Sequence, residues 1–220
     1  MKAKRPIKKI SRLPKELRKK ITSKLGIDLD VGCGLAKQPH FVGMDKRKLP
    51  GVDIVHDAER YPWPLPDSIC NRILLSHLWE HIKPWLTIDF MNELWRIMKP
   101  GCQLLISTPY AGSFGYFQDP THCNPANEAT FTYFDPAYPL YGIYKPRPWK
   151  LTRNAYQMTT NMNVILEKRE TDYVTKEERE KAQGQGVPLF DPAFEPYFRK
   201  SKKAKNKARN RHSHNRHYKV

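Results

Sequence analysis

No stretch of the 220 residues approaches 18 consecutive apolar positions, so the sequence predicts no membrane-spanning helix and no membrane partner. The basic N-terminus lacks the apolar run of a secretory signal. The four cysteines, Cys33, Cys70, Cys102 and Cys123, show no CxxC spacing and sit singly inside otherwise regular segments, which suits reduced thiols rather than disulfides or a thiolate metal site. A soluble, cytoplasmic protein is the expectation. No internal repeat is apparent, which removes the solenoid architectures. Acidic residues are absent from 199–220.

That last absence organises the charge. Residues 1–24 carry 11 Lys and Arg against one acid, and residues 199–220 carry ten against none. The remaining 25–198 hold 18 basic and 21 acidic side chains, so a centre of charge −3 lies between ends that together carry +20 of the net +17. Any affinity for polyanions belongs to the ends and not to the surface of the centre. With 39% apolar and 11% aromatic residues the chain can bury one good core. The division expected is a basic N-terminal arm and helix over 1–24, one α/β domain over 25–172, an extension over 173–198, and a basic tail over 199–220 too polar to fold by itself.

Within the centre, "LPKELRKKITSKL" places apolar residues at 13, 17, 21 and 25 and predicts a basic amphipathic helix leading into the core. Four short branched-apolar segments predict parallel strands: Ile27 to Val31, "HFVGMD", "VDIVHD" and "NRILLSH". Pro84 to Met98 carries apolar residues at 86, 90, 91, 94, 95 and 98 and predicts a helix stopped by "KPG". "CQLLISTPY" is a fifth strand, and "WKLTRN" with "MNVILEKRE" predicts an antiparallel pair. A charged helix is expected from Thr175.

"LDVGCG", the acid of "GMD", the "HD" after the third strand, "LLSHLWEHI" and "LWRIMKPGCQLLISTP" resemble, in order, the landmarks of class I S-adenosylmethionine-dependent methyltransferases. The resemblance covers roughly Gly26 to Pro109 and weakens toward Glu170. It implies a Rossmann-like methyltransferase fold, with a mostly parallel sheet and a C-terminal antiparallel hairpin, and S-adenosyl-L-methionine as cofactor. Two positions depart from the pattern: Ala36 replaces the third glycine, and "KPGC" stands for "KPGG". The first crossover is also short, since Asp45 lies only 11 positions beyond Gly34 where about 20 are usual. Six residues, Leu35 to His40, reach roughly 20 Å when extended, enough to return without a helix. The amphipathic helix at 13–25 is expected to cover the face so exposed.

The resemblance implies these cofactor-side residues: Gly32 and Gly34 in the turn against the methionine part, Asp30 as an anchor beneath it, and Asp45 at the ribose hydroxyls. Asp57 with Ala58 falls at the adenine edge, and Ser76 and His77 at the methionine side. A "DPTH" segment after the fifth strand is similar to one on the acceptor side of small methyltransferases. Asp119 and His122 are therefore acceptor-site candidates, with Glu80 and His81 as candidate bases. The methyl acceptor, nucleic acid or small molecule, has no readable code.

Two other readings stand beside this one. "HLWEH" fits the H-x-x-E-H pattern of zinc hydrolases, with His77 and His81 as helical ligands and Glu80 as base, although Pro84 leaves about two helical turns for it. A noncatalytic protein that binds nucleic acid through its arms on a degenerate methyltransferase scaffold is the other. "STPY" resembles the N/D-P-P-Y of amino-group nucleic-acid methyltransferases, but it follows the fifth strand and not the fourth, so it does not argue for base methylation.

Overall fold

The computed structural model describes residues 15–22, 25–156 and 160–184. The first 14 residues, the extension beyond Gly184 and the whole basic tail lie outside the described residues. Among those described, no helix is long and apolar enough to cross a membrane.

Seven strands form one sheet: β1 (Ile27–Val31), β2 (Val42–Asp45), β3 (Ile54–Val55), β4 (Cys70–Ser76), β5 (Met98–Pro109), β6 (Trp149–Tyr156) and β7 (Asn161–Lys168). Their order is β3-β2-β1-β4-β5-β7-β6. The first five run parallel, while β7 enters antiparallel between β5 and β6. This is the expected α/β Rossmann-like methyltransferase arrangement, with its C-terminal antiparallel hairpin. Leu29, Val31, Met44, Ile73, Leu75 and Leu104 at its centre are completely buried, as strands covered on both faces require.

The connection from β1 to β2 contains no helix. Gly32 (φ 73°) and Gly34 (φ 53°) turn the chain in the left-handed region, where a β-carbon is costly, and a β-carbon at Gly32 would also meet the Leu78 side chain at 2.9 Å. Ala36 has no such φ, so the missing third glycine costs nothing here.

Helix α1 (Lys15–Thr22) sends Leu17 and Ile21 into the main core, as its pattern requires. The expected helix ran on to Leu25, but Gly26 turns the chain at φ 78° and leaves Leu25 83% exposed. The segment from Pro84 divides into a 3-10 turn, Pro84–Leu86, and helix α2, Thr87–Ile97, whose Phe90, Met91 and Leu94 are fully buried. The helix ends one residue earlier than expected because Met98 is already extended and pairs with Cys70. "KPG" therefore lies inside β5, where a register irregularity absorbs it. The third strand is also shorter than expected, two residues instead of six. Short helices α3 (Phe114–Phe117) and α4 (Tyr141–Tyr144) punctuate the loops, and α5 (Lys176–Gly184) is the expected charged helix.

Two polar networks fix the parts without regular structure. The proline-rich loop before β4 is tied to α2 by Glu93, which accepts from Trp63 N at 2.6 Å, and by Arg96, which donates to Leu65 O and to the carboxylates of Asp67 and Glu93. The hairpin is held to the end of α2 by Lys168, which donates to Met98 O at 2.6 Å with its ammonium 3.9 Å from the Trp95 ring centre.

Trp79, just after β4, is completely buried, with its ring 4.7 Å from Phe131 and 6.3 Å from Phe134. Trp79→Ala removes that aromatic cluster and should cost about 3 to 5 kcal/mol in chemical denaturation. A loss under about 1 kcal/mol would mean that the cluster is not what anchors this turn.

Candidate functional site

Parallel strands end together, and the chain leaves them at one edge of the sheet. Between β1 and β4 the strand order reverses direction, so the loops that follow diverge and open a crevice. A cavity of about 570 Å³ occupies this position. Its wall takes Gly32 from the turn after β1, Met44 and Asp45 from β2, Asp57, Ala58 and Glu59 after β3, and His77 and Leu78 after β4. Of the eight expected cofactor-side residues, Gly32, Asp45, Asp57, Ala58 and His77 line it directly. Asp30, Gly34 and Ser76 do not, although each neighbours a residue of this rim or holds it in place.

Asp30 is one of those that hold. It is 3% exposed, and its carboxylate accepts from Gln38 N at 2.8 Å, pinning the far side of the glycine turn. Burial raises its pKa, against the opposing pull of that bond and of Lys37. Asp45 clamps the near side. Its Oδ2 accepts from Gly34 N at 3.0 Å, and its Oδ1 accepts from Arg47 N at 2.8 Å and Arg47 Nε at 3.3 Å. Burial works to raise the Asp45 pKa, but these donors outweigh it and hold the carboxyl below its usual value.

On the other side, His77 is a non-glycine residue in the left-handed region, φ 52°, at the end of β4. Such strain persists only where the surroundings fix it. Its Nδ1 lies 3.2 Å from Glu80 Oε1, and that bond raises the imidazole pKa. Glu80 itself is 0% exposed and also accepts from the Thr108 hydroxyl at 3.0 Å.

The four acceptor-side candidates, far apart in sequence, come together. Backbone donors Cys123 N and Asn124 N both bond to the Glu80 carbonyl, at 2.8 and 3.1 Å, and lay the 119–124 loop against the Glu80 turn. His81 and His122 meet edge to face with ring centres 4.8 Å apart. Asp119 Oδ1 accepts from the Thr121 hydroxyl at 2.7 Å, and Thr121 Oγ1 lies 3.1 Å from His81 Nδ1. Of the four, His81 reaches the cavity wall, together with Thr121 and Cys123.

Sequence reasoning did not single out Thr121, Glu59, Lys83 or Arg47. Thr121 lies inside the "DPTH" segment, so its position was on view, but not its bridging role. Glu59 and Lys83 pair across the cavity wall, and Glu59 Oε1 also accepts from Lys83 N at 2.8 Å. No sequence pattern marks a pair 24 residues apart in two loops.

The H-x-x-E-H helix is not formed. His77 lies outside any helix, and the segment contains one 3-10 turn, Trp79–His81. The two histidines therefore do not share a helical face, and the zinc hydrolase reading loses its geometry.

No protein-family model matches the chain. Over 124 residues it is 27% identical to a protein of Mycolicibacterium smegmatis named "Probable S-adenosylmethionine-dependent methyltransferase", covering 47% of this chain and 48% of that one. The chain thus spans about half the length of that curated relative. Among solved structures, it is similar to an S-adenosylmethionine-dependent methyltransferase from Archaeoglobus fulgidus, at 17% identity and TM-score 0.49, covering 72% of this chain and 92% of that one. It is also similar to the 16S rRNA (adenine(1408)-N(1))-methyltransferase from Catenulisporales acidiphilia, at 17% identity and TM-score 0.47, covering 70% of this chain and 90% of that one.

Because its pKa is depressed in the folded state, the Asp45 carboxylate contributes stability at pH values above the ordinary 3.8, and this is lost as the pH falls through the lower folded value. NMR titration of Asp45 should give a midpoint below 3.8, and Asp45→Ala should accelerate hydrogen exchange at the Gly34 amide. A midpoint at or above 3.8 contradicts the clamp.

Proposed function

We propose that the chain is a methyltransferase that binds S-adenosyl-L-methionine in the cavity at the carboxyl ends of β1, β2 and β4 and transfers its methyl group to an acceptor presented by the Glu80 turn and the 119–124 loop. The observation that carries this reading is the convergence of Gly32, Asp45, Asp57, Ala58 and His77 on one cavity at the switch point of the sheet. The resemblance placed each of these residues on the cofactor side. The similarity to the Mycolicibacterium smegmatis protein supports it over about half of that relative's length.

In this reading the glycine turn brings backbone close to the methionine part, and His77 and Ser76 border it. Asp57 and Ala58 face the adenine, and Asp45 faces the ribose. A carboxylate has about four acceptor positions, and Asp45 already commits three. Two ribose hydroxyls fit when the Arg47 side chain, 62% exposed and free to swing, leaves Oδ1. The reaction is an in-line displacement. The acceptor atom bonds to the methyl carbon as the carbon–sulfur bond breaks, the sulfonium becomes a thioether, and the acceptor loses a proton. The protein supplies position, which can be worth several kcal/mol, and the Glu80, His81, Asp119 and His122 group supplies polar contacts where the proton departs.

The acceptor is a nucleic acid or a small molecule, and the basic ends supply the handle on the first. Their +20 charge predicts salt-dependent binding to polyanions. A nucleic-acid-binding protein without catalysis shares this prediction and differs in having no cofactor affinity.

Calorimetry with S-adenosylmethionine and its demethylated product should show binding of both, and Asp45→Ala should weaken it at least about tenfold. Absence of heat with either ligand would end the methyltransferase reading. Deleting residues 199–220 should weaken RNA or DNA binding and flatten its salt dependence while leaving cofactor affinity unchanged. Equal nucleic-acid binding by the truncated and full chains would remove the tail as the contact.

A further inference from the structure

The turn after β4 and the loop after β5 bring together a set of groups whose chemistry exceeds that of a proton acceptor. Ligand atoms of Glu80, His81 and His122 all lie within 4.8 Å of one another. The hydrogen bonds around them fix which atoms are available. The Tyr116 carbonyl can only accept, so the 2.7 Å contact with His122 Nδ1 places a proton on that nitrogen, and in the neutral ring Nε2 keeps its lone pair. The one proton of the Thr121 hydroxyl goes to Asp119 Oδ1 at 2.7 Å, because a carboxylate has none to give. Thr121 Oγ1 must then accept from His81 Nδ1 at 3.1 Å, and His81 Nε2 carries the free lone pair. The third member, Glu80, is fully buried and steadied by the Thr108 hydroxyl and His77.

We propose that Glu80, His81 and His122 form a divalent transition-metal site with open positions toward the cavity, where the ion holds an oxygen of the methyl acceptor. Two neutral imidazoles and one carboxylate are a recurrent ligand set for such ions, and it leaves coordination positions free. Each ligand already has the outer partner that metal-bound histidines and carboxylates use to fix tautomer and ring orientation: Thr121 and through it Asp119, the Tyr116 carbonyl, and Thr108 with His77. Asp119 adds negative charge, its Oδ2 standing 3.8 Å from His122 Nε2. His81 and Thr121 belong to the cavity wall, which sets the open side of the site toward the cavity. This set replaces His77 by His122, which the H-x-x-E-H pattern could not supply. With the ion present, the imidazole lone pairs are committed to it, and a coordinated acceptor hydroxyl, made more acidic by the metal, gives its proton to solvent water.

The role toward an acceptor rests on the methyltransferase reading, but binding of the ion does not, so the test is made on cofactor-free protein. Zn(II) is titrated by calorimetry into the full chain purified without an affinity tag, and Co(II) absorption reports ligand geometry. One saturable site is expected. Its affinity should fall at least about 100-fold in His81→Ala and in His122→Ala, and about 10 to 100-fold in Thr121→Val, which removes only the orienting hydroxyl. Replacing His212, His214 and His217 of the tail by alanine should leave it intact. Imidazole ¹⁵N NMR of the unaltered chain, independent of how any variant folds, should show the Nε2 resonances of His81 and His122 shifting on Zn(II) addition. The proposal is overturned if Zn(II) leaves those resonances in place, if both histidine variants retain the site, or if the tail variant loses it. Loss of S-adenosylmethionine binding with Zn(II) binding intact would instead remove the methyltransferase reading alone.

Discussion

The carbonyl of Glu80 accepts two backbone N–H bonds, from Cys123 and Asn124, and everything on the acceptor side depends on that pairing. The pairing lays the 119–124 loop against the turn after β4, and the Thr121 hydroxyl beside His81 Nδ1 and the His81–His122 ring contact add to it. With it, four polar residues separated by up to 42 positions in sequence share one small volume. The turn is in turn anchored from below by Trp79, whose ring is packed between Phe131 and Phe134, so aromatic burial and two short backbone bonds set the position of the acceptor-side groups. A buried carboxylate beside them is costly unless its oxygens find donors, and Thr108 and His77 supply these. His77, whose backbone is strained at φ 52°, is also held by the bond from its ring to Glu80.

The glycine-turn side of the cavity is held together differently. Parallel strands normally need a crossover of a dozen or more residues, usually with a helix. Here ten residues lie between Val31 and Val42, without one. A helix would have presented its N-terminal amides near the glycine turn. The two aspartates at the ends of β1 and β2 hold the bare turn instead, Asp30 through Gln38 N and Asp45 through Gly34 N. Asp45 thus takes on, through its bond to the Gly34 amide, a structural role that a longer crossover would have left to the helix, while Arg47 occupies its other oxygen.

Much of this architecture was legible in the sequence. Strands β1, β2 and β4 follow from short branched-apolar runs and α2 from its 3.6-residue period, because these patterns report burial directly, and β6 and β7 form the expected antiparallel pair. Missed boundaries have specific causes. β5 begins at Met98 because the sheet offers Cys70 as a partner, a tertiary choice that overrides the local stop signal of "KPG". β3 keeps only Ile54 and Val55 because β2 alone pairs with it at the edge of the sheet. Of the residues marked by short motifs, Gly32, Asp45, Asp57, Ala58, His77 and His81 line the cavity, whereas no motif singled out Thr121 or the Glu59–Lys83 pair. Their roles arise from loops meeting in space, and nothing local in the sequence encodes the meeting.

The electrostatics of the cavity differ from those of the whole chain in a way that bears on what enters it. The full sequence has a charge of +17, but the cavity wall combines Asp45, Asp57 and Glu59 with Lys46, Arg47 and Lys83. Such a wall does not select for a simple polyanion, which would meet three carboxylates. It suits a ligand that carries both signs, and a sulfonium amino acid joined to a nucleoside does so, with two cationic centres and one carboxylate. The basic ends, by contrast, have no acids to balance them over 199–220. Charge in this chain is therefore divided: the excess of basic residues lies in the sequence of the two ends, and the wall where the sheet opens carries both signs.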